Sequence, residues 1–243
     1  MQGRLLGIGE SLSAAWQTFT RFVGLLIGVY LVYLVIAAGG GAIPFVGPVI
    51  SLFLTPPLMG GMIIVGLKAI RGEAPEFGEM FGGFKDYWRW MGVYYLFTVI
   101  MLAAMIPAGI GVLIAWGLGL FKHTNVSSAD IPAIAIIAIF GLASVILYIA
   151  LAIRYMFAFY EVADGAEIME SFTKSAELTE DRRLQLIWIA IVLGLFSVLG
   201  VIGCGIGIIL TGLLAYLAFM HIYVGLKGEQ AEPILPQTPP SPA

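Results

Sequence analysis

Charge is scarce in this chain. Only 12 Lys and Arg and 15 Asp and Glu occur among 243 residues, and the net charge is −3. That excludes a polybasic nucleic-acid binder and a charge-rich disordered chain. Cysteine is limited to Cys204, so no internal disulfide can form. Histidine is limited to His123 and His221, and neither sits in a Cys/His/Asp/Glu cluster at metal-ligand spacing. Gly-x-Ser-x-Gly, His-Glu-x-x-His and phosphate-loop patterns are missing too. No catalytic, metal-binding or cofactor-binding residue is assigned, no cofactor is expected, and the chain does not read as an enzyme.

What is abundant is apolar. Hydrophobic residues make up 60% of the chain, against about 45–50% in soluble domains. Uncharged runs extend over residues 22–67, 90–121, 131–153 and 184–226. A helix needs about 20 residues to cross a bilayer. The first and last runs are long enough for two crossings each, and the middle two for one each. Glycines and prolines near the middle of the long runs (Gly39, Gly40, Gly41, Pro44, Pro48; Gly200, Gly203, Gly205, Gly207) provide tight reversals. Open sheets are not tolerated in lipid, and a barrel would need short alternating segments. The expected fold is an all-α polytopic membrane bundle with six transmembrane spans, at about 22–43, 48–67, 90–120, 131–153, 184–203 and 205–226. Residues 1–228 form the membrane domain. Residues 229–243, with five prolines, read as a disordered cytoplasmic tail.

The basic residues give an orientation. Eleven of the twelve flank one side of the predicted spans, and only Lys122 flanks the other. The positive-inside rule then places both termini in the cytoplasm. No cleavable signal peptide is expected, because Glu10 interrupts the early apolar residues.

Three stretches between spans carry helical periodicity. They are Leu5, Ile8, Leu12, Trp16, Phe19; then Phe77, Met80, Phe81, Phe84, Trp88; then Val162, Ala166, Met169, Phe172, Ala176. Steps of three and four residues make each an amphipathic helix for the membrane interface. Asp130 before Ile131-Pro132, and Thr179 before Glu180-Asp181, read as helix caps. Pro56, Pro57 and Pro107 predict kinks. The two ends of the chain also match. Glu10-Ser11 aligns with Glu170-Ser171, Leu26-Ile27 with Leu186-Ile187, and Val65-Gly66-Leu67-Lys68 with Val224-Gly225-Leu226-Lys227. This spacing predicts a parallel internal repeat, related by an axis along the membrane normal.

One further pattern runs through Arg154, Phe157, Glu161-Val162-Ala163-Asp164, Glu170-Ser171, Ser175, Leu178-Thr179 and Cys204-Gly205-Ile206-Gly207. It is preceded by Arg71-Gly72-Glu73, Phe77, Met80-Phe81 and Phe84-Lys85. This resembles a group of bacterial six-span proteins of unknown function, similar to the membrane domain of glycerophosphodiester phosphodiesterases. The resemblance covers about residues 1–228. It implies a six-span fold in the bacterial cytoplasmic (inner) membrane. It does not imply the phosphodiester chemistry, which needs a separate catalytic barrel of roughly 250 residues.

Arg154 ends the fourth span and is the first candidate contact. Snorkelling to the interface, pairing with Glu161, Asp164 or Glu170, and binding an anionic head group are the three readings. Lys85, Asp86 and Arg89 form a similar set below the third span. The function expected is a non-enzymatic membrane protein: a scaffold, an accessory subunit of another membrane protein, or a binder of a specific lipid. The alternative is a transporter or channel for a small apolar or zwitterionic molecule. Its partners are the lipid bilayer and not nucleic acid.

Overall fold

The structure, a computed structural model, describes residues 4–42, 46–118, 131–200 and 206–228. Among them every regular element is helical. Helix α1 covers Ile8–Arg21 and buries Ser11, Ala15, Thr18 and Phe19 on one face. After Phe22 the chain turns by 95° into α2, Val23–Ala42. Helix α3 is Val46–Ile70. A 3-10 helix, Phe77–Phe84, follows, and then α4, Tyr87–Ala103, and α5, Ile106–Gly117. Helix α6 is Ile131–Tyr155, α7 is Ala158–Ala163 and α8 is Ile168–Thr179. A single 3-10 turn, Glu180–Arg182, joins α8 to α9, Arg183–Leu199. Helix α10, Ile206–Lys227, completes the described chain.

Five helical runs are long and apolar enough to cross a membrane: Gly47–Ile70, Tyr87–Gly117, Ile134–Ala163, Ile168–Leu199 and Ile209–Lys227. The bent α1–α2 pair makes a sixth if it counts as one span. That is consistent with a multi-pass membrane protein.

The centre is α10. It packs against α1, α9, α3 and α2, and Leu217, Ala218, Met220, Ile222 and Tyr223 are wholly buried. The α5–α6 pair stands at the periphery. Its contacts are mainly mutual, and Leu113, Trp116, Ile139 and Leu142 are exposed. An apolar exterior of this extent suits lipid, not water.

Prolines interrupt α3 without ending it. Pro56 and Pro57 lack the N–H groups that would bond the carbonyls of Leu52 and Phe53, four residues earlier. Helix α4 supplies both missing donors. The Tyr95 hydroxyl donates to Leu52 O at 2.8 Å, and the Tyr87 hydroxyl donates to Phe53 O at 3.3 Å. The next turn of α3 then meets the 3-10 helix at backbone distance. A Cβ on Gly61 would lie 1.6 Å from Met80 O, and one on Gly83 would lie 2.0 Å from Pro57 O. Only glycine permits that approach. Pro107 is accommodated differently. The α4–α5 run breaks at Ala104–Met105, Pro107 falls in the first turn of α5, and Ser144 Oγ of α6 accepts the orphan Ala108 N–H at 2.8 Å.

Several sequence expectations change in detail. The Phe77–Phe84 stretch is 3-10 and not α-helical, as its short length and Gly82-Gly83 pair favour. The third amphipathic stretch is two helices, because the chain turns at Asp164–Gly165, where Gly165 has φ 94°. Thr179 does not cap a new helix. Its single hydroxyl hydrogen points backwards, among the carbonyls of Ser175, Ala176 and Arg154, and α8 runs on towards α9. Gly39, Gly40 and Gly41, expected in the first reversal, continue α2, and Pro48 lies in the first turn of α3, where proline is tolerated. Pro44, Lys122, His123, Asp130, Gly203, Cys204, Gly205 and the 229–243 tail lie outside the described residues.

Candidate functional site

Three segments begin with the same device. Glu10, Glu79 and Glu170 each sit at the third helical position and accept the backbone N–H three residues earlier, from Gly7, Glu76 and Glu167 at 3.1, 3.2 and 3.2 Å. An acid there satisfies an orphan donor and suits the positive end of the helix dipole. Each acid also holds a cation: Arg4 at 2.8 Å for Glu10, Lys174 at 2.8 Å for Glu170, and Lys68 for Glu79. The Lys68 hydrogen bond holds the Glu79 carboxyl below its ordinary range, against the opposing effect of desolvation.

The turn between α7 and α8 is the most heavily tied part of the molecule. Glu161 is 1% exposed, and a buried carboxylate persists only if paired. The Tyr223 hydroxyl lies 2.9 Å from Glu161 Oε1 and 2.7 Å from Asp164 Oδ2. Its single hydrogen serves one carboxylate at a time. Lys227 Nζ lies 2.7 Å from Asp164 Oδ2 and 3.4 Å from Glu161 Oε2. Arg71 closes the cluster at 2.8 Å from Asp164 Oδ1. Two acids and two cations balance. Burial pushes the Asp164 carboxyl up, but hydrogen bonds from Lys227, Tyr223 and Arg71 more than offset it and hold it below its ordinary value.

Arg89, from the first turn of α4, reaches the other side of the same turn. It donates to the carbonyls of Gly165, at 2.6 Å, and Ala166. Asp86 acts through its backbone, accepting the N–H groups of Arg89 and Trp90 at the start of α4. Lys85 ends the 3-10 helix, its N–H bonded to Gly82 O. The set Lys85, Asp86 and Arg89 is thus spread over one helix junction, and only Arg89 reaches the α7–α8 turn.

Arg154 stands apart from that cluster. Among the described residues its guanidinium pairs with none of Glu161, Asp164 and Glu170, whose partners are Lys227, Arg71 and Lys174. It lies over the Tyr155 ring, 5.8 Å from the centroid. Its backbone is fixed from below. Ser175 Oγ donates to Arg154 O at 3.0 Å and accepts the Phe157 N–H at 3.1 Å, and Thr179 Oγ1 also reaches Arg154 O. These bonds satisfy the end of α6, whose last carbonyls have no partner within the helix. Beside Arg154 is a cavity of ≈ 360 Å³, lined by Tyr155, Phe172 and Ala176 as an apolar floor and by Thr173, Glu177 and Glu180 on the rim. A second cleft, ≈ 530 Å³, lies between Leu5–Ile8 and the start of α9 near Trp188, with Gln185 as its main polar group.

Inside the bundle is a set of tyrosines. Tyr216 of α10 has a buried hydroxyl with no hydrogen-bond partner among the described residues. It lies within electrostatic range of Tyr160 and Tyr33, and Tyr33 within range of Tyr94 and Tyr30. Tyr160 stacks on Tyr223 at 5.2 Å, which links this set to the charged cluster. His221 is paired with Thr18 Oγ1 at 3.0 Å, a buried polar contact between α10 and α1.

Among the described residues no group of three His, Cys, Asp or Glu is placed to hold a metal. Glu161 and Asp164 are the nearest approach, and Arg71 and Lys227 already neutralise them. Arg71, Tyr223 and Lys227 were not singled out from sequence as site residues. The signal available was Tyr223 and Lys227 four residues apart, one helical turn, at the end of an apolar run.

No curated protein and no solved structure matches this chain. A family model described as a domain of unknown function, DUF7847, matches residues 6–239, nearly the whole length, and the protein belongs to that family.

Proposed function

We propose that the protein is a non-enzymatic, lipid-binding membrane protein of six spans, with both termini in the cytoplasm of a bacterial cell and the bundle in its inner membrane. The resemblance to the membrane domain of glycerophosphodiester phosphodiesterases belongs to this reading, as does a scaffold or accessory-subunit role beside another membrane protein. The observation that carries it is Arg154. The acids and cations around Asp164 neutralise one another, whereas Arg154 faces an open cavity with an apolar floor. A cation over aromatic and aliphatic surface at a helix end suits a phosphate head group with its acyl chains below.

The shared side of the basic flanks is supported by contact. Residues from the end of α3, the start of α4, the α7–α8 turn and the end of α10 meet in one cluster, so those ends lie together. The parallel repeat is supported by matching details. Ser11 Oγ donates to Ile8 O and Ser171 Oγ to Ile168 O, each one residue after the reach-back glutamate. Lys68 and Lys227 stand in the last turns of α3 and α10, and each pairs with an acid from the segment beside it. The halves differ at the elbow, which turns 95° after α1 but leaves α8 and α9 in one run.

Native mass spectrometry of the gently extracted protein tests the reading. A chain retaining phospholipid, and losing it on Arg154→Gln, is the expected result. A chain that carries no lipid, in wild type and variant alike, overturns it. A second polypeptide at fixed stoichiometry points to the subunit role. The transporter or channel reading is favoured by a different observation, the unpartnered Tyr216 hydroxyl among tyrosines in the bundle interior. Liposome uptake of small zwitterionic solutes, abolished by Tyr216→Phe, is its test.

A further inference from the structure

The geometry points to a site for a phosphate–primary-amine zwitterion, the phosphoethanolamine head group of a membrane lipid, in the cavity between the end of α6 and the outer face of α8. This rests on the lipid-binding reading and narrows it.

The cavity lining carries charges of both signs, none of them ion-paired across it. The cation is Arg154, in the last turn of α6, with no acidic partner within ion-pair distance among the described residues. A guanidinium offers a fork of N–H donors that matches two phosphate oxygens. The anions are Glu177 and Glu180. Glu177 is exposed and takes part in no ion pair among the described residues, and Glu180 has only a loose contact with Arg183, at 4.0 Å. Thr173, one turn before Glu177, lines the same cavity. Its hydroxyl hydrogen is used on Met169 O, at 3.1 Å, which leaves its oxygen lone pairs to accept.

A primary ammonium carries three N–H donors, and two carboxylates and a hydroxyl oxygen offer three acceptors. A quaternary ammonium could use none of them as hydrogen-bond acceptors. It would need an aromatic cage instead. The two rings here, Tyr155 and Phe172, contact each other edge to face at 5.2 Å, and Tyr155 already lies under Arg154. A phosphoglycerol head group would satisfy Arg154 but leave the two glutamates facing an anion without a cation. The floor of Tyr155, Phe172 and Ala176, with the exposed Met169 beside it, is where the start of an acyl chain would rest.

The site is also held in place. Ser175 and Thr179, both 0% exposed, stitch the backbone of Arg154 to the inner face of α8. The outer face of the same helix carries Thr173 and Glu177, and Glu180 follows in the 3-10 turn. Packing thus ties Arg154 to the helix that carries the acids, which lowers the ordering cost of binding. A volume of ≈ 360 Å³ falls at the small end of the range for ligand pockets, about 300–1,000 Å³.

The test is lipid titration of the delipidated, detergent-solubilised full chain, read by native mass spectrometry. The probes are dioleoylphosphatidylethanolamine, dioleoylphosphatidylcholine and dioleoylphosphatidylglycerol. O-phosphoethanolamine and inorganic phosphate are the soluble arms. Circular dichroism confirms that each variant is folded. The expected result is a preference of about tenfold for the ethanolamine lipid over the other two, the size of one charge-assisted hydrogen bond. Arg154→Gln lowers binding of all three lipids. The double variant Glu177→Gln, Glu180→Gln lowers ethanolamine binding to the level of glycerol and leaves glycerol binding intact.

Equal or tighter binding of the glycerol or choline lipid by wild type overturns the proposal while lipid binding stands. So does an ethanolamine preference that survives the double variant. Wild-type binding of all three lipids by Arg154→Gln overturns the proposal while lipid binding stands, and binding of none of them by wild type overturns both. Displacement of the lipid by O-phosphoethanolamine at equal concentration overturns the membrane source and assigns the site to a soluble phosphoamine.

Discussion

Lys227 and Lys174 both hold a carboxylate at about 2.7–2.8 Å, yet their surroundings separate them. Lys174 and Glu170 are each about half exposed, so water competes for both. Lys227 is 25% exposed, and its partners Glu161 and Asp164 are 1% and 12% exposed. Lys227→Met should therefore destabilise by about 2–4 kcal/mol, somewhat below the cost of breaking a fully buried pair. Lys174→Met should leave the unfolding midpoint in detergent unchanged. Denaturant titration of the two variants side by side checks this, and equal losses would refute it. Asp164 sets the pH dependence. Its folded-state pKa is lowered, so its contribution is present above the unfolded carboxyl value and is lost as pH falls through and below about 4. Melting temperature should drop between pH 6 and pH 3, and Asp164→Asn should flatten that part of the curve. Gly165 belongs to the same turn. No neighbour blocks a side chain there, but φ 94° strains any other residue, so the turn is fixed by backbone conformation as well as by charge.

Among the elements, α3 shows how a long apolar helix tolerates two prolines. The freed carbonyls of Leu52 and Phe53 need donors, and hydrocarbon offers none. Tyr95 and Tyr87 supply them from α4. Tyr95→Phe should cost about 1 kcal/mol in the wild-type background. In a Pro56→Ala background it should cost less, because the restored N–H reoccupies Leu52 O. A double-mutant cycle measured by denaturation reads the coupling, and a coupling of zero would remove the tyrosine from this role. Directly after the prolines, Gly61 and Gly83 admit backbone contact between α3 and the 3-10 helix, and the prolines supply a carbonyl, that of Pro57, for Gly83 to pack on. The repeated reach-back glutamates mark the same principle at three helix starts. The Glu10 and Glu170 starts were legible from the Glu-Ser pairs, because the device is local. The Thr179 start was not, because the hydroxyl found partners in the preceding turn and across α6.

For the whole molecule, the predicted arrangement has opposite sides of the membrane at the 119–130 loop and at the 229–243 tail. In a Cys204→Ser background, a membrane-impermeant maleimide on intact cells should label Asn125→Cys. It should label Ser241→Cys only after the membrane is permeabilised. Labelling of both in intact cells would dismantle the even span count. Burial within the bundle is uneven in a way that fits this architecture. Half or more of the apolar window is buried in the α3 and α10 runs, at 50% and 61%, but only 6% in the run from Ile134 to Ala163. The α1, α2, α3, α9 and α10 group packs with the 3-10 helix, α4 and α7, where Met80, Trp90, Val93 and, just before α7, Phe157 are buried, and the α5–α6 pair lies at the periphery.

The length and placement of the apolar runs and the amphipathic spacing of the α1 and α8 stretches follow from the sequence alone. Each depends on residues close together in the chain, and apolar length and helical periodicity act at that range. The meeting of Arg71, Tyr223 and Lys227 with Glu161 and Asp164 does not. Asp164 is 59 and 63 residues from Tyr223 and Lys227, and no local pattern states which cation will reach which acid. The same holds for Arg154, which has acids nearby in sequence but is left facing a cavity because those acids are taken by Lys227, Arg71 and Lys174. Electrostatic pairing is decided by distance in space, and only the packing of α3, α4, α7, α8 and α10 around one end of the bundle sets those distances.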